Sequence, residues 1–496
     1  MNGPSGNLDP RTPVLVGAAA VVQRADDPLA AKDASELMAE AVVRACDDAG
    51  APRLLGAIQR IAVPHGNWSY RDPARLVAER IGARVHTVLV DLGIPQQTLI
   101  NDALRSIAAG ALDVAVVVGG EALQRDAVAR RRGFSLPHVD EGQAHPDERQ
   151  TPAAEIIAPA ELAVGLVVPV QQYAMIENAL RGAQHQSIAA HRDAIAALWA
   201  AFDAVALKNP RALFAGGRAP GFIREPGPEN RPLAFPYNKW HATQWTVDQA
   251  GALVFCSAAA ARAHGAPRER WVFPRLGLES SHALSLSYRR DLHRWPAMGV
   301  LGRAAAAHLE RPLASVEHVE LYSCFPAAVR VQQRELGLPL DGVPTITGGM
   351  PFAGGPFNNF VLQATVAMAA RVRADRGTLG LVSTVSGLLT KPGLAVWSSE
   401  PGEKTMLLGD LAAEARSATA SLEGIADYRG PATVATYTVT YQGETPTRVV
   451  VIGDTPEGRR CVAQADDAHL AAWATAHELV GTTIVVAGTS FNASPG

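Results

Sequence analysis

Residues 348–360, GGMPFAGGPFNNF, form a glycine-rich segment with few groups that could do chemistry. Its glycines would let the backbone pass close to a ligand, and Pro356 is typical of the first turn of a helix. The segment contains no acid, base, thiol or metal ligand. Asn358 and Asn359 could bind substrate carbonyls or phosphates, but Asn is equally typical of a helix cap. The segment therefore indicates a binding loop without a catalytic side chain.

Tyr322 and Cys324 stand in ELYSCF, residues 320–325, at the predicted end of a strand. A phenol can donate a hydrogen bond to an oxyanion or exchange a proton, so Tyr322 is a candidate catalytic residue. It could also be an ordinary core tyrosine. Cys324 is better explained as a small buried side chain, because free cysteines are often simply buried.

Other catalytic signatures are absent from the sequence. There is no G-x-S-x-G elbow, no P-loop, no G-x-G-x-x-G after a strand and no H-E-x-x-H. The four cysteines are far apart and show no metal-ligand spacing, so neither a metal site nor a tightly bound cofactor is expected.

The composition is that of an ordinary globular protein. The chain has 496 residues, a net charge of -3 and 19% charged residues, which gives no indication of nucleic-acid binding. No signal peptide is recognised, and no apolar run reaches the roughly 18 residues that a membrane span needs. We therefore expect a cytoplasmic protein with no membrane insertion.

Strand and helix patterns divide the chain into segments that would position these residues. Alternating strands and helices predict two α/β halves, and short Val- and Thr-rich strands at the end predict a small OB-like barrel. The predicted segments are a disordered start (1–12), an N-terminal half (13–122 and 246–265), an insertion (123–245), a C-terminal half (266–405), a linker (406–429) and a β-rich domain (430–496).

A weak internal repeat supports the two-half plan. Residues 92–120 and 354–387 each run from a glycine-bearing turn and a proline through a helix to a buried strand. Duplicated halves would bring both helix N-termini near one point, where anions and developing oxyanions are favoured.

This plan, the insertion after VVVGGEAL, the return through TVDQAGALVFCSAAAARAHG and the ELYSCF strand end together resemble the thiolase superfamily. QQYAMIENALRG, LWAAFDAVALKNP and NRPLAFPYNKWHATQWTVDQAG are similar to segments of actinobacterial thiolase-like proteins with an extra C-terminal domain. The resemblance covers about residues 12–400. It implies a five-layer α-β-α-β-α thiolase fold of duplicated halves.

The resemblance also implies which positions should carry catalysis. Thiolases run Claisen condensation or its reverse on acyl-CoA with a nucleophilic Cys, a His in a Gly-His-Pro loop, a second Cys and an oxyanion-hole Asn or His. Here those positions fall on Gly93 or Ile94, Gly355, Val385 or Ser386, and Tyr322. Only Ser386 and Tyr322 could move a proton, so normal thiolysis is not expected. Gly355 is expected to leave space about the size of an imidazole ring.

Substrate binding is expected in two places. FPYNKW, residues 235–240, is similar to the stretch that lines the CoA tunnel in relatives. Lys239 could meet a CoA phosphate, while Tyr237 and Trp240 could pack on pantetheine or adenine; the alternative is a surface lysine and two half-buried rings. The other expected substrate-binding residues are Cys324, Phe325, Gly354, Asn358 and Asn359.

Three functions remain open at this point. The first is binding of CoA or acyl-CoA thioesters in lipid, fatty-acid or sterol metabolism without thiolase turnover. The second is an acyl-CoA retro-aldolase that uses Tyr322, since some relatives that lack the cysteines are steroid-CoA aldolases with Tyr at this position. The third is a non-catalytic scaffold. Relatives commonly pair through the strand corresponding to 85–91, so the chain is expected to be a monomer or a homodimer.

Overall fold

The computed structural model describes residues 8–137, 139 and 141–492. The predicted disordered start therefore lies largely outside the described residues, and β1 begins at Pro13. The strands are β1 Pro13–Val22, β2 Arg60–Pro64, β3 His86–Val90, β4 Val114–Ala122, β5 Glu148–Gln150, β6 Pro232–Ala234, β7 Tyr237–Asn238, β8 Asp248–Ser257, β9 Phe273–Glu279, β10 His318–Glu320, β11 Leu379–Ser386, β12 Lys391–Ser398, β13 Leu407–Asp410, β14 Arg429–Gln442, β15 Thr445–Asp454, β16 Arg460–Ala465, β17 Thr483–Ala487 and β18 Ser490–Asn492.

The helices complete the same alternating order. They are α1 Ala34–Asp48, α2 Pro73–Arg80, α3 Gln96–Ala108, α4 Leu123–Arg131, α5 Pro159–Ala163, α6 Pro169–Ala183, α7 Ile188–Ala206, α8 Pro220–Arg224, α9 Ala258–Ala263, α10 Pro296–Leu309, α11 Pro326–Leu336, α12 Gly349–Phe352, α13 Phe360–Ala374, α14 Ala412–Ala418 and α15 Ala468–Ala474. None of the helices in the described ranges is long and apolar enough to cross a membrane.

The two halves share one strand pattern. The N-terminal sheet has the order β1-β8-β4-β2-β3-β5, and the C-terminal sheet has the order β10-β11-β12-β9-β13. In the first, β2 is parallel to β4, while β8 is antiparallel to both β4 and β1. In the second, β10 is parallel to β11, while β12 is antiparallel to both β11 and β9. The predicted duplication is therefore present in the sheets themselves.

Helices α3 and α13 form the central layer between the sheets. Each contacts strands of both sheets: α3 packs on β4 and β9, and α13 packs on β8 and β11. Helices α1 and α10 cover the outer faces of the N-terminal and C-terminal sheets. The predicted α-β-α-β-α thiolase fold is confirmed.

The insertion covers an edge of the N-terminal sheet. Its strand β5 pairs in parallel with β3, from Val88 opposite Glu148 to Val90 opposite Gln150. An unpaired edge strand is the usual template for pairing with a second chain. The edge of β3 is therefore occupied by this chain's own insertion.

The C-terminal strands form a closed barrel. Strands β14, β15, β16, β18 and β17 are hydrogen-bonded in that order, and β14 also pairs with β17. This five-stranded barrel is consistent with the predicted OB-like domain. Residues 406–429, predicted as a linker, are instead built into the fold: β13 extends the C-terminal sheet beside β9, and α14 packs on α10.

Arg181 joins the insertion to the barrel. Its side chain is 1% exposed and donates from Nε and Nη2 to the two carboxylate oxygens of Glu478, both at 2.8 Å. The guanidinium also lies 5.7 Å and 5.6 Å from the ring centroids of Phe235 and Tyr437. A buried cation in this setting depends on its carboxylate partner.

We therefore predict that Glu478→Gln lowers the free energy of unfolding by about 1–3 kcal/mol, because it leaves a buried guanidinium without a counter-charge. The measurement is the midpoint of urea unfolding. Asp466→Asn is the matched control, since it breaks an exposed pair with Arg448 in the same barrel and should cost less than about 1 kcal/mol. Equal losses in the two variants would contradict the prediction.

Candidate functional site

The starts of α3 and α13 meet where the two halves join. Gln96 donates from Nε2 to Asn358 Oδ1 at 3.1 Å and accepts from the Val361 backbone N–H at 3.0 Å. Asn358 has a positive φ of 51° and donates to the His65 carbonyl at 3.0 Å. The side chain of Asn358 thus holds the junction together, which corrects its predicted role as a ligand-binding amide. Sequence reasoning missed Gln96, although its place in the first turn of a predicted helix was visible.

Asn359 differs from its neighbour. It precedes α13 but makes no capping hydrogen bond, and its side-chain oxygen and nitrogen are both buried without a partner among the described residues. Its amide lies 3.2 Å from the position that a Cβ on Gly119 would take. Buried amides are normally hydrogen-bonded, so Asn359 is the residue of this loop that could still serve a ligand.

Glu121 adds a carboxyl group to the same region. It accepts a hydrogen bond from the Asn67 N–H at 2.8 Å through Oε1, while its Oε2 is buried without a partner in the described part of the chain. Burial raises the pKa of Glu121 to about 8, opposed by the Asn67 hydrogen bond. The group is therefore mainly protonated at neutral pH and could donate a hydrogen bond. It was not identified from the sequence.

A lysine stands at the position expected for the nucleophile. Gly93 has a φ of 103°, and a Cβ placed there would lie 3.6 Å from Lys391 Nζ and 3.3 Å from Pro152 Cγ. Lys391 is 4% exposed, and burial lowers its pKa, opposed by the charge of Glu155. Sequence reasoning missed it, although a lysine at the start of a buried strand is unusual and could have been noticed.

The position expected for the catalytic histidine is filled. A Cβ on Gly355 would lie 2.3 Å from Thr243 Cγ2 and 3.0 Å from Met350 Cβ, so the expected space for an imidazole ring does not exist. The physical reason is that Thr243, at the end of the insertion, is held there by hydrogen bonds from its N–H and hydroxyl to the Cys324 carbonyl, at 3.1 Å and 3.2 Å. Gly354, with a φ of 102°, is likewise covered by the Gln249 side chain, at 2.7 Å from its added Cβ.

Tyr322 lies close to Cys324 at the floor of the junction. Tyr322 is half-buried, packs edge-on against Phe360 with centroids 5.9 Å apart, and its hydroxyl has no hydrogen-bond partner among the described residues. Ser383 and Gln332 hold its backbone through bonds of 2.8 Å and 2.9 Å. Burial raises the pKa of the phenol, so it is protonated and able to donate.

Cys324 is a thiol at neutral pH. It is 8% exposed, and burial raises its pKa to about 12, opposed by the Tyr173 hydroxyl. A nucleophilic cysteine needs a lowered pKa, so its packing role is the better description.

The other positions expected for the nucleophile and the acid/base cysteine hold two apolar residues and one serine. Val385 is 6% exposed and pairs with Pro392, and Ile94 packs against the core. Ser386 is half-buried and lies directly opposite Lys391 in the β11–β12 pair. Because directly opposed residues point to the same face of a sheet, Ser386 and Lys391 share one side.

The predicted CoA-contacting rings face the protein interior. Tyr237 is fully buried and donates to Glu177 Oε2 at 2.6 Å, and Phe325 stacks between the rings of Tyr173 and Tyr237 at 4.6 Å and 5.4 Å. Neither ring is free for pantetheine, because each is already packed on aromatic neighbours.

Trp240 and Lys239 lie beside one another. Trp240 is 8% exposed, with the Arg218 guanidinium 3.6 Å from its ring centroid and Phe352 stacked at 6.3 Å. Its faces are therefore covered, which corrects its predicted role. Lys239 is half-buried with Nζ 5.0 Å from the Trp240 ring, and its ammonium forms no ion pair in the described part of the chain. It remains a candidate for a phosphate contact.

The chain is similar to known proteins in both sequence and structure. Residues 413–489 match the family described as the thiolase-like protein type 1 additional C-terminal domain. A monomeric SCP2-thiolase like protein type 1 from Mycobacterium smegmatis is 27% identical with a TM-score of 0.82, covering 98% of this chain and 100% of that chain. No curated protein matches the sequence.

Two more distant structures share the fold. An Ltp2-ChsH2(DUF35) aldolase is 17% identical with a TM-score of 0.59, over 79% of this chain and 99% of that chain. An acetyl-CoA acetyltransferase from Syntrophomonas wolfei is 18% identical with a TM-score of 0.55, over 78% of this chain and 99% of that chain.

We predict that Gly355→Ala lowers the free energy of unfolding by about 1–3 kcal/mol, because its methyl group meets Thr243 Cγ2. Thr243→Ser removes that methyl and keeps the hydroxyl, so Gly355→Ala should cost clearly less in this background. The measurement is a double-mutant cycle on urea unfolding. Gly221→Ala, where no atom lies within 4 Å of the added Cβ, is the control and should be nearly neutral. Additive effects at 355 and 243 would show that the two positions do not compete for space.

Proposed function

Because the chain belongs to the thiolase superfamily and carries an additional C-terminal domain, we propose that it binds a CoA thioester between its two halves without carrying out thiolysis. The observation that carries the proposal is that the positions expected for the catalytic thiol and imidazole are glycines, and that other side chains pack beside them. Lys391 and Pro152 surround Gly93, and Thr243 and Met350 fill the place of an imidazole at Gly355.

Without a thiol and an imidazole at these positions, covalent acyl transfer through a cysteine is not available. An acyl transfer through cysteine needs a thiolate and a nearby base. None of the atoms nearest to Gly93 and Gly355 among the described residues belongs to a thiol or an imidazole, and the nearby thiol of Cys324 has a pKa of about 12. The groups that remain, namely the Tyr322 hydroxyl, the Asn359 amide and the Glu121 carboxyl, can bind a carbonyl oxygen but cannot carry an acyl group at neutral pH.

Two groups near the surface, Lys239 and Trp245, support binding of the CoA portion of the ligand. Lys239 keeps a half-buried ammonium without a carboxylate, which suits a phosphate. Trp245 is 50% exposed, and its ring centroid lies 6.2 Å from that of Phe357 in the glycine-rich segment. Exposed aromatic rings of this kind offer a stacking surface for adenine or pantetheine, in place of the buried Tyr237 and Trp240.

As part of this proposal, the protein is a monomer and works in a reducing compartment. Strand β5 pairs along β3, the edge through which relatives dimerise, and the Mycobacterium smegmatis relative is monomeric. All four cysteines are free and buried, as is usual in the cytoplasm.

We expect saturable binding of butyryl-CoA by calorimetry and no cleavage of acetoacetyl-CoA by CoA above the buffer rate. Lys239→Met should weaken binding about fivefold by loss of one charge-assisted contact, and the exposed Lys208→Met should leave it unchanged. Thiolysis at an ordinary enzymatic rate would overturn the proposal. Absence of binding by any CoA ester would favour a scaffold role for the fold and its barrel.

A second candidate is a retro-aldolase acting on a β-hydroxyacyl-CoA. The observation that favours it is the hydroxyl of the half-buried Tyr322, which is protonated and has no partner among the described residues. In this reaction the Cα–Cβ bond breaks, the hydroxyl proton leaves as a carbonyl forms, and the thioester enolate takes up a proton. A phenol hydrogen-bonded to the thioester oxygen would stabilise the enolate.

For this candidate we predict cleavage of a β-hydroxyacyl-CoA to a carbonyl compound and a shorter acyl-CoA, with kcat reduced about 100-fold or more in Tyr322→Phe. Product analysis by mass spectrometry measures it. Tyr428→Phe alters a half-buried tyrosine next to the start of β14 and should retain full activity. Unchanged turnover in Tyr322→Phe would remove Tyr322 from the mechanism.

A further inference from the structure

Lys391 is a largely buried lysine whose ammonium has no ion pair among the described residues. Its side chain is 4% exposed, runs past Gly387, where an added Cβ would lie 3.2 Å from its Cε, and ends beside Gly93. No hydrogen bond or ion pair satisfies its ammonium among the described residues, whereas most buried charges are paired. The side chain is thus largely buried while its ammonium has no counter-charge from the described residues, which leaves it available to an anionic ligand.

Further donors converge on the same point. Gly93 is two residues before the N-cap Pro95 of α3, a helix of 13 residues whose first N–H groups receive no side-chain cap from that residue. The N-terminus of a helix carries unsatisfied donors and a partial positive charge. Ser386 faces the same side as Lys391, and no hydrogen bond of its hydroxyl is found among the described residues.

The negative charges nearby do not neutralise the ammonium. Glu155 is exposed, acts on Lys391 through its charge, and forms no ion pair with it within 4.0 Å. The other side chains that approach Gly93 and Gly387, namely Pro152, Thr390 and Ile156, are uncharged. Lys391 therefore supplies the charged group nearest to Gly93 among the described residues, and Gly93, Ser386 and Gly387 are each half-buried.

From this arrangement we infer that Lys391, with the α3 N-terminus and Ser386, binds a carboxylate at the far end of the acyl chain, so that the ligand class is a carboxyacyl-CoA. The inference rests on the proposed function, since it places the acyl end of a CoA thioester at Gly93. A carboxylate would supply the counter-charge that the buried ammonium lacks and would accept from Ser386 and the helix N–H groups.

The position favours the acyl end over a CoA phosphate. Lys391 lies beside Gly93, the position that the resemblance to thiolases assigns to the nucleophile. The phosphate candidates, by contrast, are at Lys239 and the exposed Trp245 near the surface.

Calorimetry with two four-carbon esters tests the inference on the full chain. Succinyl-CoA ends in a carboxylate and butyryl-CoA in a methyl group, so their comparison isolates the charge. We expect succinyl-CoA to bind at least about tenfold more tightly, in line with a buried charge-assisted hydrogen bond. Lys391→Met should reduce the two affinities to near equality, and Lys208→Met should preserve the difference.

Other outcomes separate the possibilities. Equal binding of both esters by the unaltered protein overturns the inference and leaves the proposed function standing, whereas no binding of either overturns both. If Lys391→Met weakens free CoA as much as succinyl-CoA, the lysine binds a phosphate and the inference is wrong.

An exposed substitution provides a second test if Lys391→Met does not fold. Glu155→Gln removes the charge that competes with a ligand carboxylate, so it should raise the preference for succinyl-CoA about two- to fivefold with little effect on butyryl-CoA. An unchanged preference in Glu155→Gln would count against the carboxylate site.

Discussion

The burial of two helices between two sheets determines where every candidate residue lies. Helices α3 and α13 carry buried side chains on most of their circumference, and such helices are stable only when they are enclosed on all sides. Packing both of them in one central layer forces their N-termini together at the junction of the halves. The hydrogen bond between Gln96 and Asn358 shows this proximity directly, because it joins the first turn of α3 to the loop before α13.

The side chains at the junction of the two halves differ from those expected of a thiolase. Positions that would carry a thiol and an imidazole are glycines, and their space is taken by side chains that arrive from elsewhere in the chain. Pro152 and Thr243 come from the insertion or its end, and Lys391 comes from the start of β12. A lysine in place of a thiolate changes the sign of the charge at the centre of the site, so ligands that suit it must differ in charge as well.

The insertion connects these features. It supplies β5 to the edge of β3, Thr243 to the site, and Arg181 to the interface with the barrel. Its strand β6 also pairs with β14, so the barrel is attached through backbone as well as side-chain contacts. A single segment thereby covers the edge of β3, fills the space beside Gly355 and holds the additional domain.

The sequence by itself determined the fold class and the residue types at the expected catalytic positions. Strand and helix periodicity are local properties, and the absence of a cysteine near residue 93 or a histidine at 355 can be read from residue identities alone. What occupies the released space was decided by the tertiary structure. Thr243 and Lys391 are far from these glycines in the chain, and only the packing of the sheets brings them within a few ångströms. Burial of Tyr237 and Trp240 was decided in the same way, because whether an aromatic ring faces a ligand or the core depends on neighbours that local sequence does not specify.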